Sequence, residues 1–208
     1  MSAGIEHVVT SGTFSLDGGT WDVDNNVWLV GDEHECILID APHEVAPVRQ
    51  LIGDRKLIAI VCTHAHDDHV TVAGELAASY RAPVLLHPDD EVLWRRSYPT
   101  LNFEPLTDGQ RLAVAGVELG VLHTPGHSPG SVCLYAPALA TVFTGDTLFR
   151  GGPGATGRSF SDFGTIIDSI RGRLLTLPPA TVVRTGHGDT TSIAAEAPQL
   201  PDWIARGH

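Results

Sequence analysis

Lysine, cysteine and long apolar runs are what this 208-residue sequence has least of. One lysine, Lys56, stands beside twelve arginines, and together they face 25 acidic residues for a formal charge of −12. A protein that tracks nucleic-acid phosphates needs a basic face, so nucleic acid is excluded as the expected partner. Metal-ligating acids would have part of their charge offset by the cations they hold, which makes the effective surface less acidic than the sum. The three cysteines, Cys36, Cys62 and Cys133, each lie inside an apolar strand-like run and read as reduced, buried thiols, not a disulfide framework. No apolar run approaches the roughly 18 residues of a membrane span. The opening MSAGIEHVVT has no basic segment followed by a hydrophobic one, so no signal peptide is expected and the expected location is the cytoplasm. With 42% hydrophobic and 18% charged residues, the chain can bury one core, and residues 1–208 read as a single domain.

Short apolar runs punctuated by turns are what the sequence does contain. NNVWLV and ECILID, separated by GDEHE, read as a hairpin, EVAPVRQLIGD as a helix, and KLIAIVCT as a strand covered on both faces. VTVAGELAASY then reads as a helix, APVLLHP as a strand, and DDEVLWRRS as a helix with acids in its first turn. From Asn102 onward QRLAVAG, VELGVLHT, SVCLYAP and ATVFTGD are strand candidates. DFGTIIDSIRGRLLTL is an amphipathic helix with Asp162 as its N-cap, and TVVRTGHGD is a strand entering a loop. Strands and helices alternate in both halves, so an α/β domain with strands inside and helices outside buries them all. Trp28 and Trp94 are expected in that core, and Trp203 reads as core or interface.

The stretch THAHDDH at 63–69 follows the buried strand candidate directly and sets His64, His66, Asp68 and His69 on a strand-to-helix loop. Imidazole and carboxylate are the ligands that zinc, iron and manganese accept. Alternate residues of an extended segment share a face, so His64 and His66 can converge on one ion while Asp68 and His69 turn toward another. Three more strand-end loops each carry one ligand-type residue among small neighbours: His127 in HTPGHSPGS, Asp146 in TGDTLF and His187 in TGHGD. Small neighbours let backbone and ion approach closely. One isolated histidine is more often a hydrogen-bonding residue than a ligand; four such motifs together point to metal. His123, at a strand end, reads as a non-ligand, and His87, before Pro88, as structural. His7, His34, His43 and His208 have no motif around them and read as surface residues, and Cys62 as a packed strand residue.

In this order the four motifs resemble the metallo-β-lactamase-fold hydrolase superfamily, and within it the glyoxalase II and persulfide dioxygenase branch, from about Asn25 to about Thr191. The resemblance implies a four-layer αββα sandwich with the metal site at one edge of the two sheets. It implies that His64, His66 and His127 bind one divalent ion, that Asp68, His69 and His187 bind a second, and that Asp146 bridges them. Zinc is the expected metal, and iron or manganese suits the same ligands.

Two such cations about 3.5–4 Å apart can share a water, lower its pKa and present hydroxide to a carbonyl carbon. Thiolates leave with little protonation, so a site without a separate general acid suits a thioester of a low-molecular-weight thiol, with Asp68 as a candidate proton shuttle. The loop LFRGGPGATGRSFSDF resembles the glycine-rich stretch after the bridging aspartate of glyoxalase II-like enzymes, and its Arg158 and Arg150 are candidate anchors for a substrate anion. Full-length glyoxalase II enzymes add a helical C-terminal region whose basic residues help bind glutathione. Here Arg206 is the only basic residue of Lys or Arg type after His187, so no such separate domain is expected, and the substrate is expected to be another thiol's ester or to carry a smaller acyl group. The rival reading is a persulfide dioxygenase, which resembles this chain through the same motifs but uses a single iron on the residues matching His64, His127 and Asp146. Its glycine-rich loop usually holds a cysteine where this chain has GGPGATGR. The bridging aspartate disfavours a β-lactamase, the acidity and lack of a further domain disfavour a nuclease, and the intact ligand set disfavours an inactive metal-binding protein. Oligomeric state is not legible.

Overall fold

Period-two alternation along the strands decides the architecture of the computed structural model, which describes residues 3–207 and so leaves the expectation for His208 outside it. The first sheet runs in the order β1 (Gly4–Leu16), β2 (Gly19–Gly31), β3 (Glu35–Ile39), β4 (Lys56–Val61), β5 (Val84–Leu86), β6 (Glu104–Pro105). Its first two pairings are antiparallel and the next three parallel. In β2 and β3 the residues Val27, Leu29, Cys36 and Leu38 face one side of the sheet, and Trp28, Val30, Ile37 and Ile39 the other. Burying each large apolar side chain contributes about 1.5–3 kcal/mol, and a slip of one residue would turn all of them over, so the register is fixed.

The outer set packs under four helices, α1 (Val45–Ile52), α2 (Asp67–Val70), its successor α3 (Ala73–Tyr80) and α4 (Glu91–Ser97), and it includes Val48, Ile52, Leu76 and Trp94. VTVAGELAASY is helical from Ala73 to Tyr80, three residues later than expected, because Val70 closes α2 and Thr71 and Val72 form a turn. The chain breaks between α2 and α3, so His69 sits on a single helical turn apart from the helix that follows. The inner set faces the second sheet.

That sheet is built from β7 (Arg111–Val114), β8 (Val117–His123), β9 (Val132–Ala136) and β10 (Thr141–Gly145), with a small ribbon of β11 (Leu148–Phe149) and β12 (Gly152–Pro153) following beside it. After α5 (Phe163–Ser169), which continues through a wide turn at 170–174, come β13 (Val182–Thr185), β14 (Thr191–Ser192), α6 (Ile193–Glu196) and α7 (Leu200–Arg206). The order is β14-β13-β10-β9-β8-β7, antiparallel except where β10 pairs with β13. Val132, Leu134 and Phe143 face inward to meet Trp28, Ile37 and Val61, while Cys133, Val142 and Val183 face out against Ile166, Ile170 and Trp203. The layers are thus helix, sheet, sheet, helix, as the αββα expectation required.

Asp162 caps α5 by accepting from Thr165 N at 2.7 Å, as its position implied. Trp28, Trp94 and Trp203 are all buried, which settles Trp203 as core. The three cysteines are free and buried. Among the described residues no helix is long and apolar enough to cross a membrane.

Candidate metal centre

Every ligand candidate sits beyond the carboxyl end of a strand, at the same edge of the two sheets. Thr63 to His66 follow β4, with Asp68 and His69 on α2; His127 follows β8, Asp146 follows β10 and His187 follows β13. The two sheets are tied together at this edge, because Val132 N donates to Thr63 O at 2.8 Å and Asn26 N to Gly186 O at 2.8 Å.

The side chains converge in two groups. His64 Nε2 and His127 Nε2 each lie 3.0 Å from His66 Nδ1. In the second group His69 Nε2 is 3.2 Å from His187 Nε2, and Asp68 Oδ2 is 3.6 Å from the former and 3.3 Å from the latter. Asp146 stands between them: Oδ1 is 3.3 Å from His69 Nε2, and Oδ2 is 3.3 Å from His187 Nε2 and 3.5 Å from His127 Nε2. Zinc held tetrahedrally at about 2.0–2.1 Å has ligand-to-ligand edges of roughly 3.3–3.4 Å, so both spacings suit such an ion.

Hydrogen bonds on the far sides of the rings fix which nitrogen points inward. His127 Nδ1 donates to Ala155 O at 2.8 Å, His187 Nδ1 to Asp24 O at 2.8 Å, and His69 Nδ1 to Asp40 Oδ2 at 2.9 Å. His64 Nδ1 faces Thr63 Oγ1 at 3.2 Å, and that hydroxyl donates to Asp40 Oδ2 at 2.8 Å. Such outer partners hold tautomer and orientation, so the inward Nε2 atoms carry lone pairs. A second line runs through Asn25: His43 Nε2 donates to its Oδ1 at 2.7 Å and its Nδ2 donates to Asp68 Oδ2 at 3.0 Å. His43, expected as a plain surface residue, is therefore half-buried behind the site, whereas His34 is exposed and His7 stacks on Trp28 from the surface.

Electrostatics divide the two groups. Burial, then the neighbouring rings, drives His64 well below the ordinary histidine range and His66 down to about 3, so both rings are neutral. Burial pushes His69 and His187 the same way, but the carboxylates of Asp146 and Asp68 outweigh it, raising His69 well above its usual range and His187 to about 10. Asp146 in turn, despite burial, is held far below the carboxylate range by His187 and His69. The acidic half of the site therefore favours positive charge, which a divalent cation would supply. Asp146 Oδ1 is also buried without any aligned hydrogen-bond donor. Unpartnered acceptors, inward lone pairs and excess negative charge all fit divalent ions.

The small neighbours have the expected role. A Cβ on Gly186 would lie 2.2 Å from Asp146 Oδ1, and Gly145, at φ +48°, would put one 2.4 Å from Thr63 Oγ1. A buried carboxylate, Asp90, ties the two histidine loops by accepting from Ala65 N at 2.8 Å, Ser128 Oγ at 2.8 Å and Gly130 N at 2.5 Å.

A cavity of about 420 Å³ opens over the site, floored by His66, Asp68, His127, Asp146 and His187 and walled by Phe14, Val23, Asp24, Phe149, Ala155 and Arg158. Arg158 thus lies in the wall of the cavity. Arg150 does not line this cavity and pairs instead with exposed Asp189 at 2.9 Å. His87, Asp89 and His123 make a separate cluster. His123 Nε2 donates to Pro129 O at 2.9 Å, and the His87 and His123 rings stack nearly parallel at 3.9 Å, so their lone pairs do not converge and both keep the structural reading.

Comparison with known proteins agrees with this geometry. A sequence model of the Metallo-beta-lactamase superfamily matches residues 20–187. Hydroxyacylglutathione hydrolase GloC of Haemophilus influenzae is 32% identical over 186 residues, covering 82% of this chain and 88% of that one. The crystal structure of TTHA1623 in a di-iron-bound form superposes with a TM-score of 0.77 at 36% identity, covering 90% of this chain and 96% of that one. ETHE1 from Myxococcus xanthus superposes at 0.75 with 28% identity, over 92% and 83% of the two chains.

Proposed function

The chain belongs to the metallo-beta-lactamase superfamily, and from that premise we propose that it is a binuclear metal-dependent hydrolase acting on a thioester of a low-molecular-weight thiol. The observation that carries the reading is the second ligand group: Asp68, His69 and His187 are as convergent as the three histidines, and Asp146 reaches both. A persulfide dioxygenase, which the likeness to ETHE1 keeps in view, resembles this chain through the same motifs, so the number of metal ions held per chain separates the two readings.

Bound between these residues, two divalent ions would supply a water acidic enough to react at neutral pH and a Lewis acid for a carbonyl oxygen. Zinc suits the nitrogen-rich first group, and iron or manganese the same set. The rest is the work of the chain. Asp40, Ala155 O and Asp24 O hold His69, His127 and His187 with their Nε2 atoms toward the cavity. Asn25 holds Asp68 Oδ2, and Asp68 lines the cavity, so its carboxylate is the one assigned to receive and return a proton. Phe14, Val23 and Phe149 keep the carbonyl side apolar, where electrostatic interactions strengthen as water is displaced.

The test is elemental analysis of protein purified without oxygen, followed by a thioester panel. Two metal ions per chain with hydrolysis of a thioester support the reading. One iron per chain with oxygen uptake on a persulfide would replace it. An Asp68→Asn variant with full metal and full activity would remove the proton-transfer role.

A further inference from the structure

The turn between β3 and α1 touches the second ligand group at three points. Asp40 accepts from His69 Nδ1 at 2.9 Å, Ala41 N donates to His69 O at 2.8 Å, and His43 reaches the same group through Asn25. Two residues of this short turn hold a positive φ without being glycine, Asp40 at +61° and His43 at +52°. Such backbone persists only where its surroundings fix it, and it gathers at functional sites. The bonds to His69 and Thr63 account for Asp40. His43 needs an account of its own.

Its ring is half-buried against β1, where Gly12 leaves it room: a Cβ on that residue would lie 2.2 Å from His43 Nδ1. His43 Nε2 stands 2.7 Å from Asn25 Oδ1, and among the described residues that oxygen has no other hydrogen-bond partner. Asn25 is fully buried. Its Nδ2 lies 3.0 Å from Asp68 Oδ2, 3.3 Å from His69 Nε2 and 3.4 Å from His187 Nε2, the three side chains that converge as the second group. The amide donates to Asp68 only while its nitrogen faces the group; turned over, it would set one oxygen against another. Burial lowers the His43 pKa against the pull of Asp68, so the ring is neutral and has a single N–H to give. Carried on Nε2, that proton meets Asn25 Oδ1 and holds the amide the right way round.

We propose that His43 is a positioning residue for the second metal ion: it fixes the Asn25 amide with its nitrogen toward the ligand group, and the amide in turn fixes the carboxylate of Asp68. The inference rests on the binuclear reading for there being a second ion to hold. Among the described residues no hydrogen bond joins His43 or Asn25 to His64, His66 or His127, so the effect is selective. Losing the His43 donor loosens one ion and spares the other.

The experiment compares His43→Leu, which removes the donor, with His43→Gln, whose side-chain amide carries an N–H at nearly the same reach. Competitive chelator titration with zinc reads the two affinities of each full-length protein, and His187→Ala marks which of them belongs to the second group. Loss of an outer partner lowers metal affinity about 10- to 100-fold, and a partner acting through Asn25 belongs at the lower end. His43→Leu should therefore weaken the second ion about tenfold and leave the first within about twofold of wild type, while His43→Gln should return the second to within about twofold. In an Asn25→Ala background His43→Leu should add no further loss, because the line to Asp68 is already cut. Melting temperatures of the metal-free proteins check folding, and should Asn25→Ala fail to fold, the His43→Leu and His43→Gln pair decides alone.

Equal weakening of both ions, equal losses in His43→Leu and His43→Gln, or a full further loss in the Asn25→Ala background overturns the assignment. Two ions in wild type with the second unmoved by His43→Leu sink the positioning role and leave the hydrolase reading standing. A second ion weakened as expected, in a protein that cleaves no thioester, sinks the hydrolase reading and leaves the positioning role standing. A single ion in wild type removes both.

Discussion

Asp90 offers the sharpest separation of scaffold from site. It is fully buried, and its two oxygens hold the loop of His64 and His66 through Ala65 N and the loop of His127 through Ser128 Oγ and Gly130 N. In Asp90→Ala the Ser128 hydroxyl can still turn to Ser131 Oγ, 2.8 Å away, but the two amides lose their acceptor. Two orphaned buried amides cost about 2–6 kcal/mol. Burial holds the Asp90 carboxyl above its ordinary pKa in spite of the Gly130, Ser128 and Ala65 donors, so removing it also relieves a desolvation cost and favours the lower part of that range. About 2–3 kcal/mol translates to a melting temperature lower by about 4–12 °C for a chain of this size. The more telling readout is metal. Loss of an outer partner typically lowers affinity about 10- to 100-fold, and here the loss should fall on the site of His64, His66 and His127 and spare that of Asp68, His69 and His187. Competitive chelator titration resolves the two, with Asp90→Asn as the milder companion that keeps the volume. Equal weakening of both sites, or a lower melting temperature with both affinities intact, would refute the clamp argument.

Other consequences are as concrete. Gly186→Ala places a methyl group 2.2 Å from Asp146 Oδ1 and 2.8 Å from His69 Cε1, so elemental analysis should find less metal per chain than in wild type; full occupancy would show that the carboxylate has room to move. Removing metal with a chelator should abolish hydrolysis and lower the melting temperature, and adding zinc, manganese or ferrous ions back should restore both, since a ligand held by the native state alone stabilises it by mass action. His87 accepts from Asp89 N and stacks on His123, near Asp89 and Asp108, and burial, then His123, lowers its pKa below 6.5. A histidine whose folded pKa is depressed contributes stability that is complete above the unfolded value and is lost as pH falls through it. His87→Asn keeps a capping oxygen without a titrating ring, so it should lose less stability than wild type below about pH 6.5, as followed by denaturant unfolding. Parallel pH curves for the two would contradict the assignment.

The ligand set was legible because seven residues of ligand chemistry stood in four turn motifs, each directly after an apolar run that had to be a strand. Periodicity placed the strands, strand ends placed the loops, and loops at one edge brought the candidate ligands together. What was not legible belonged to partners far apart in sequence. Asp40 reads as the last polar residue of ECILID, and nothing in that string says that its carboxylate will meet His69, which lies 29 positions later. Asn25 and His43 are equally silent until β2 and the turn after β3 come together. The hairpin of β1 and β2 had a readable sign in Asp17-Gly18, both at positive φ, as a two-residue turn of this type requires. Without that pairing Phe14 and Trp21 had no claim on the pocket. The break between α2 and α3 was hidden for another reason, since Thr71 and Val72 are tolerable in a helix and the residue that interrupts it is Ala41, which donates to His69 O at 2.8 Å and accepts from Val72 N at 3.0 Å.

Two kinds of residue therefore share the pocket, and they should respond differently to change. The floor is built from strand ends cross-linked between the sheets: Asn26 donates to Thr185 O and Gly188 O, Thr63 O accepts from Val132, and Asp90 spans two loops. A substitution there disturbs packing and metal together, because the same hydrogen bonds serve both. The walls come from the hairpin and the loop of Arg158, which contribute Phe14, Val23 and a stacked cation and are tied to one another at Ser159 and Asp17. Few core contacts depend on them; Trp21 is 41% exposed. Function on a rigid scaffold commonly varies through such segments. The floor settles what bond can be broken, and the walls settle whose bond it is, so exchanging residues 14–23 and 155–161 should alter substrate preference at nearly constant metal content. A large loss of metal on such an exchange would mean that the hairpin holds the site together and does not merely cover it.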